Sequence, residues 1–193
     1  PVLRPELTDA KPLPSLPHAE TEAIQIAQLL NTNALVGAAA TETAVKQRLE
    51  EANLIHLASH GLYQEDGDAL QSKIALASNS EEQDGFLTAE EILDYSLQAD
   101  LVVLSACDTG RGSITGDGVI GLSRSFIAAG TPSVMVSLWQ VPDAATSTLM
   151  TQFYQNRQTL DKAQSLRQAM LYMIEQDLEP KDWAAFTLIG EAE

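Results

Sequence analysis

The sequence predicts an α/β fold built on a mostly parallel β-sheet with helices covering both faces. Two observations carry this. Short apolar runs alternate along the chain with helical stretches, the order that crossover connections between parallel strands require. The three central runs, "LIHLASHG", "LVVLSAC" and "PSVMVSLWQV", are also apolar nearly throughout, as strands buried on both faces are.

The elements follow in order. Residues 1–17 hold five of the eight prolines and read as an extended lead-in, with a short strand placed near Val2–Leu3. The remainder, 18–193, reads as one domain. "HAETEAIQIAQLL" spaces Ile24, Ala27 and Leu30 as a helix does, and His18 before it reads as a solvated cap. "NALVG" is expected as a short strand, and "TETAVKQRLEEA" as a helix capped by Thr41. "NLIHLASHG" is a buried strand running to the glycine. Between 62 and 86 the chain is polar, with turns at Asp66-Gly67 and Asp84-Gly85 around a strand "KIALA". "TAEEILDYSL" is a helix whose Thr88 and Glu91 have capping-box spacing. "ADLVVLSAC" is the second buried strand, and "GVIGLSRSFIAAG" a helix closed by Gly130. "PSVMVSLWQV" is the third strand. Two helices fill 143–176, and "WAAFTLIGE" returns as the last strand.

Composition narrows the function. The chain has 193 residues, 45% hydrophobic, enough for one sizeable core. Mean hydropathy is near zero, and no apolar run approaches the roughly 20 residues of a membrane span. The proline-rich start lacks the apolar centre of a signal peptide. A single cysteine forms no internal disulfide, which favours a reducing, cytoplasmic setting. A formal charge of −16 argues against nucleic-acid partners, which need clustered Lys and Arg. The same charge suits a basic ligand, although solubility alone also explains an acidic surface.

Functional groups of parallel sheets gather beyond the carboxyl ends of the strands. His60 ends one buried strand and Cys107 ends another. By period two His56, Ala58 and His60 share a face of the first, and Val103, Ser105 and Cys107 a face of the second. An imidazole that takes a thiol proton, leaving a thiolate to attack a carbonyl, is the arrangement of nucleophilic acyl transfer. Gly61 and Gly110 allow close backbone approach, and the amides of Gly61 and Cys107 are placed to donate to an oxyanion. From pattern alone a second reading stands beside this one: a lone buried cysteine is commonly a small core residue. His56, within the strand, reads as a core histidine or one supporting the site from behind. One Cys and three scattered His give no metal-ligand spacing. The loop "DTGRGSITGDG" can form an anion-binding nest, but it lacks the lysine of a phosphate-binding GxxxxGK[ST] loop.

Taken together, "LIHLASHG", "GFLTAEEI", "ADLVVLSACDTGRG", "GDGVIGLSRSFIAAGTPSVMVSLWQVPDAAT" and "WAAFTLIG" resemble the CHAT domain, in family order, over roughly residues 12–190. These are caspase-like domains joined to tetratricopeptide repeats, abundant in bacteria and related to separase and the caspases. The resemblance implies a caspase-like three-layer α/β sandwich and a Cys–His dyad, with Cys107 at the nucleophile position, His60 at the histidine position and Gly61 at the oxyanion glycine. It implies a thiol protease that uses no metal or cofactor, acts on a protein or peptide, and is linked to a tetratricopeptide-repeat region in its parent chain or a partner. Neither nucleic acid nor membrane enters. Family members carry a further segment before the position of Pro1, so the chain reads as a C-terminal portion of a larger protein. The alternative within the same resemblance is a non-proteolytic signalling or scaffold module that docks repeat proteins.

A caspase pocket for aspartate needs converging arginines, and of the six here only Arg111 lies on a strand-end loop. Acids are more numerous at that edge: Asp108, Asp117 and Asp143. "LWQVPD" also resembles separase, which cleaves after arginine. The expected P1 residue is therefore basic, with Asp143 lining the pocket, capping the helix it opens, or doing both.

Overall fold

The computed structural model describes residues 13–62, 69–78, 83–105 and 116–193, excepting the side chains of residue 69 and of residues 116–120. Four strands form the central sheet: β1 (Leu54–Leu57), β5 (Leu101–Leu104), β6 (Ser133–Ser137) and β7 (Phe186–Gly190), in the order β1-β5-β6-β7. β1 pairs with β5 and β5 with β6 in parallel, while β7 returns antiparallel to β6. A smaller antiparallel sheet joins β2 (Gly61–Leu62), β3 (Lys73–Ala75) and β4 (Phe86–Thr88) in that order. The helices are α1 (Pro17–Leu29), α2 (Glu42–Leu49), α3 (Ala89–Ile92), α4 (Gly116–Ala128), α5 (Asp143–Asn156) and α6 (Lys162–Glu175).

Strand alternation sorts the side chains into two cores. Val102 and Leu104 of β5, with Val134 and Val136 of β6, face Val45 and Leu49 of α2, Ile92 of α3, and Leu122 and Phe126 of α4. Leu101, Val103 and Met135 face the other way, against Ile26 of α1, Leu149, Met150 and Phe153 of α5, and Leu166 and Met173 of α6. Each such side chain removed from water stabilises the fold by about 1.5–3 kcal/mol before entropy is counted. The result is the expected three-layer α/β sandwich with a mostly parallel sheet.

Local signals account for most boundaries. Thr41 caps α2, accepting from Ala44 N at 3.2 Å. Thr88 and Glu91 form the predicted capping box at the start of α3. Gly130 closes the turn after α4 with φ +116°, where a Cβ would meet the Leu97 carbonyl oxygen at 2.7 Å; only glycine fits there.

Three expectations are corrected, and one feature was not foreseen. "NALVG" is not a strand: residues 33–36 are irregular and Gly37–Ala39 is a 3-10 turn. The backbone pairing falls later, where Ala77 N donates to Ala40 O and Glu42 N to Ala77 O. α3 spans a single turn: the amides of Leu93, Asp94 and Tyr95 bond back three residues, to Glu90, Glu91 and Ile92, and Leu97 N then pairs with the Ala129 carbonyl. β1 ends at Leu57, three residues before His60, so period two does not extend to that histidine. β2 and β4, and with them the second sheet, were not expected. The turn at Asp66-Gly67 and the strand near Val2–Leu3 lie outside the described residues.

Candidate functional site

β1 and β5 align Leu54 with Leu101 and Leu57 with Leu104, so both strands end at one edge. Ser105 N continues the pairing by donating to Leu57 O at 3.2 Å. His60 follows Leu57 by three residues, and Cys107 follows Leu104 by three. Cys107, Asp108, Gly110 and the loop after them lie outside the described residues. For Asp117 the backbone belongs to α4, and its side chain is not described.

Beyond Leu57 the chain leaves the parallel sheet and docks on β3. Ala75 N donates to His60 O at 2.8 Å, and the Ser59 hydroxyl donates to the Ala75 carbonyl. The first of these makes Gly61↔Ile74 a non-hydrogen-bonded pair of the antiparallel ladder, so the Gly61 amide faces away from β3. The small sheet thus fixes the backbone on both sides of the His60 Cα.

His60 is buried, 8% exposed. Its Nε2 lies 2.8 Å from the Pro14 carbonyl oxygen. A carbonyl can only accept, so Nε2 carries the proton of this bond, and in the neutral ring the lone pair then belongs to Nδ1. Pro14 was invisible to motif reading because it contributes through its backbone.

His56 is a separate centre. It lies on the α1/α5 side of the sheet, with Nε2 2.8 Å from Glu22 Oε1 and Nδ1 3.2 Å from the Tyr154 hydroxyl. Ser105 Oγ lies 3.5 Å from the same Nε2. Glu22 is 1% exposed, and its Oε2 has no hydrogen-bond partner among the described residues. Burial, reinforced by the Glu22 charge, pushes the Tyr154 phenol well above its ordinary value, which keeps it a neutral O–H. Glu22 was legible in the sequence only as an acid in the first turns of a helix.

Asp143 opens α5 after β6, at the carboxyl edge of the sheet. It makes no side-chain cap on its own helix. Instead its Oδ2 accepts from His18 N at 2.8 Å, serving the N-terminus of α1, whose own N-cap Leu16 has no side chain able to do so. His18 sits in the first turn of that helix rather than before it. A cleft of about 610 Å³ opens beside His60, bounded by Leu13 and Leu16 of the lead-in, Val36, Ala58 and Leu76. Glu20 is the acidic residue on its lining. Among the described residues no cluster of three or more His, Cys, Asp or Glu could hold a metal ion. No described helix is long and apolar enough to cross a membrane.

A mostly parallel sheet between two helical layers, with a histidine at its carboxyl edge, defines a caspase-like α/β protein. The sequence matches the CHAT domain over residues 4–191, and the chain belongs to that family. The family is caspase-like and related to peptidases. The chain is similar to tetratricopeptide repeat protein 28 of Homo sapiens and of Mus musculus, 32% identical to each over 209 residues. That alignment covers 91% of this chain and 8% of each relative, so the chain spans a small part of their length.

Proposed function

We propose that the protein is a cysteine endopeptidase of the caspase–separase type, in which Cys107 attacks the scissile carbonyl. His60 takes the thiol proton at Nδ1 and returns it to the leaving amine, while the amides of Gly61 and Cys107 hold the oxyanion. The observation that carries this reading is the bond from His60 Nε2 to the Pro14 carbonyl. It sets the tautomer and ring orientation of a histidine three residues beyond the edge at which β1 and β5 end together. A basic P1 residue fits the acidic residues Asp108, Asp117 and Asp143 and the overall charge of −16. The apolar cleft beside His60 suits neighbouring side chains of an extended peptide. The tetratricopeptide-repeat relatives support a substrate or regulator brought to the site by repeats in the parent protein. They equally favour a second reading, a caspase-like module that docks partners without cleaving them.

A peptide-library cleavage profile beside Cys107→Ala and His60→Ala variants tests this. Each variant is expected to abolish turnover while the fold persists. Cys107→Ala removes one sulfur and costs at most about 1–2 kcal/mol. Full turnover by Cys107→Ala would refute Cys107 as the nucleophile, and no turnover by the wild type alongside an unreactive thiol would leave the docking module as the function. Cleavage after Asp rather than Arg or Lys would refute the basic pocket.

A further inference from the structure

The buried cluster of Glu22, His56, Tyr154 and Ser105 behind the site has no part in the dyad chemistry. We propose that Glu22, His56 and Asp143 are positioning residues for His60: they fix α1 against the sheet and against α5, and the fixed helix holds the Pro14 carbonyl on the imidazole. The proposal rests on reading His60 and Cys107 as the dyad.

The geometry is continuous. Pro14 lies three residues before α1, and its carbonyl meets His60 Nε2 at 2.8 Å. Glu22, on α1, meets His56 Nε2 at 2.8 Å, and His56 belongs to β1, the strand that leads into His60. The other imidazole nitrogen of His56 meets Tyr154 of α5. Asp143, the first residue of α5, takes the His18 amide at 2.8 Å. The helix is therefore tied to β1 at its middle and to α5 at its start. Apolar contacts such as that of Ile26 hold a helix against a sheet but set its axial position weakly, whereas hydrogen bonds are directional. A slip of one residue moves the chain along the axis by about 1.5 Å, enough to break the Pro14–His60 bond.

Stability alone does not call for this cluster. An apolar replacement of a buried polar or ionic cluster is often as stable or more so, and here one Glu22 oxygen is buried with no partner among the described residues. Such an arrangement makes sense where it specifies a position. Ser105, two residues before Cys107, touches the same imidazole, so the cluster also lies against the strand of the nucleophile.

The test uses the whole chain and the rate of Cys107 alkylation by iodoacetamide across pH, measured below the melting temperature of each variant. Iodoacetamide has no P1 side chain, so a pocket role of Asp143 does not enter. His60→Ala serves as the control on the dyad. It is expected to move the profile to that of an ordinary thiol, titrating near about 8.5; no movement overturns the dyad and this proposal with it. With the dyad established, Glu22→Ala is expected to slow alkylation below neutral pH roughly 10- to 100-fold and to shift the profile the same way. Glu22→Gln, which keeps an oxygen for His56 Nε2–H, restores most of the rate. Asp143→Ala, at a partly exposed position, is expected to slow it in the same direction and keeps the test decisive should Glu22→Ala not fold. A wild-type pH–rate profile in the folded variants, whatever their melting temperatures, shows the cluster to be structural only and overturns the proposal.

Discussion

Lys162 is completely buried, and its ammonium is held 2.9 Å from Asp100 Oδ1 and 2.9 Å from the Ser133 hydroxyl. The Ser133 hydroxyl in turn donates to the Glu191 carbonyl, which stitches α6 to the start of β6 and the end of β7. The two partners are unequal: Asp100 is 57% exposed and is well solvated without the lysine. Removing the acid therefore costs more than removing the base. Asp100→Ala leaves a buried ammonium without its counter-charge and is expected to destabilise by about 3 kcal/mol or more. Lys162→Met preserves the packing volume, returns Asp100 to water, and is expected to cost less than about 1.5 kcal/mol. Urea unfolding of both variants checks the asymmetry, and equal losses would contradict it. Nothing in the sequence marks Lys162 as buried, because a lysine in the first turn of a helix ordinarily points to solvent.

The short helix α3 depends on its cap and on a neighbouring helix. Thr88 and Glu91 close the capping box, and Lys46 of α2 bonds both Glu91 and Glu42. The second Glu42 oxygen accepts from Gly85 N at 3.0 Å, in the turn before β4. Burial alone would raise Glu91, but the hydrogen bonds from Lys46 and Thr88 win and hold it below the usual carboxylate range. Burial would likewise lower Lys46, yet its bonds to Glu42 and Glu91 leave it above the ordinary ammonium value. The signs define two windows. Glu91 contributes stability above its unfolded pKa of about 4.3, and the contribution is lost as pH falls through the lower folded value. Lys46 contributes fully below about 10.4, and that is lost as pH rises through its higher folded value. With Glu91 40% exposed, water screens the pair, and the whole effect is expected to be under about 1 kcal/mol. Melting temperatures of Glu91→Gln and the wild type should converge on acidification below about pH 4 and separate towards neutrality. Thr88→Ala removes the cap together with one of the bonds to the Glu91 carboxylate, and should cost about 1 kcal/mol near neutrality and less once Glu91 is protonated.

Across the whole molecule, 27 acidic residues against 11 basic ones create a field that attracts a cationic peptide. If the P1 residue is basic, kcat/KM for Arg-containing substrates is expected to fall several-fold as the Debye length shortens from about 10 Å at 0.1 M salt to about 3 Å at 1 M. A neutral thiol reagent should show little change over the same range. Salt-independent turnover of an Arg peptide would remove long-range attraction from the account. The layered architecture also explains why the site lies where it does. β1 and β5 run parallel and in register, so the segments after them emerge at one edge, and the smaller sheet receives the first of them.

The sequence by itself determined the alternation of buried strands and helices, the caps at Thr41 and Thr88, and the closure at Gly130. Those features are written in local patterns: apolar runs, capping spacings, and a glycine where a side chain would collide. Of the smaller sheet only β3 was legible, as the strand in "KIALA"; β2 and β4, of two and three residues and with too little periodicity to be read, were not. Nor was the end of β1 at Leu57, which is set by competition from the β3 edge rather than by any residue of β1. The contacts of Pro14, Glu22 and Asp143 were decided only by the tertiary structure. Each joins residues 34 to 125 positions apart in the chain, through a backbone carbonyl or a common carboxylate, and such groups acquire a role only from what the fold brings within 3 Å of them.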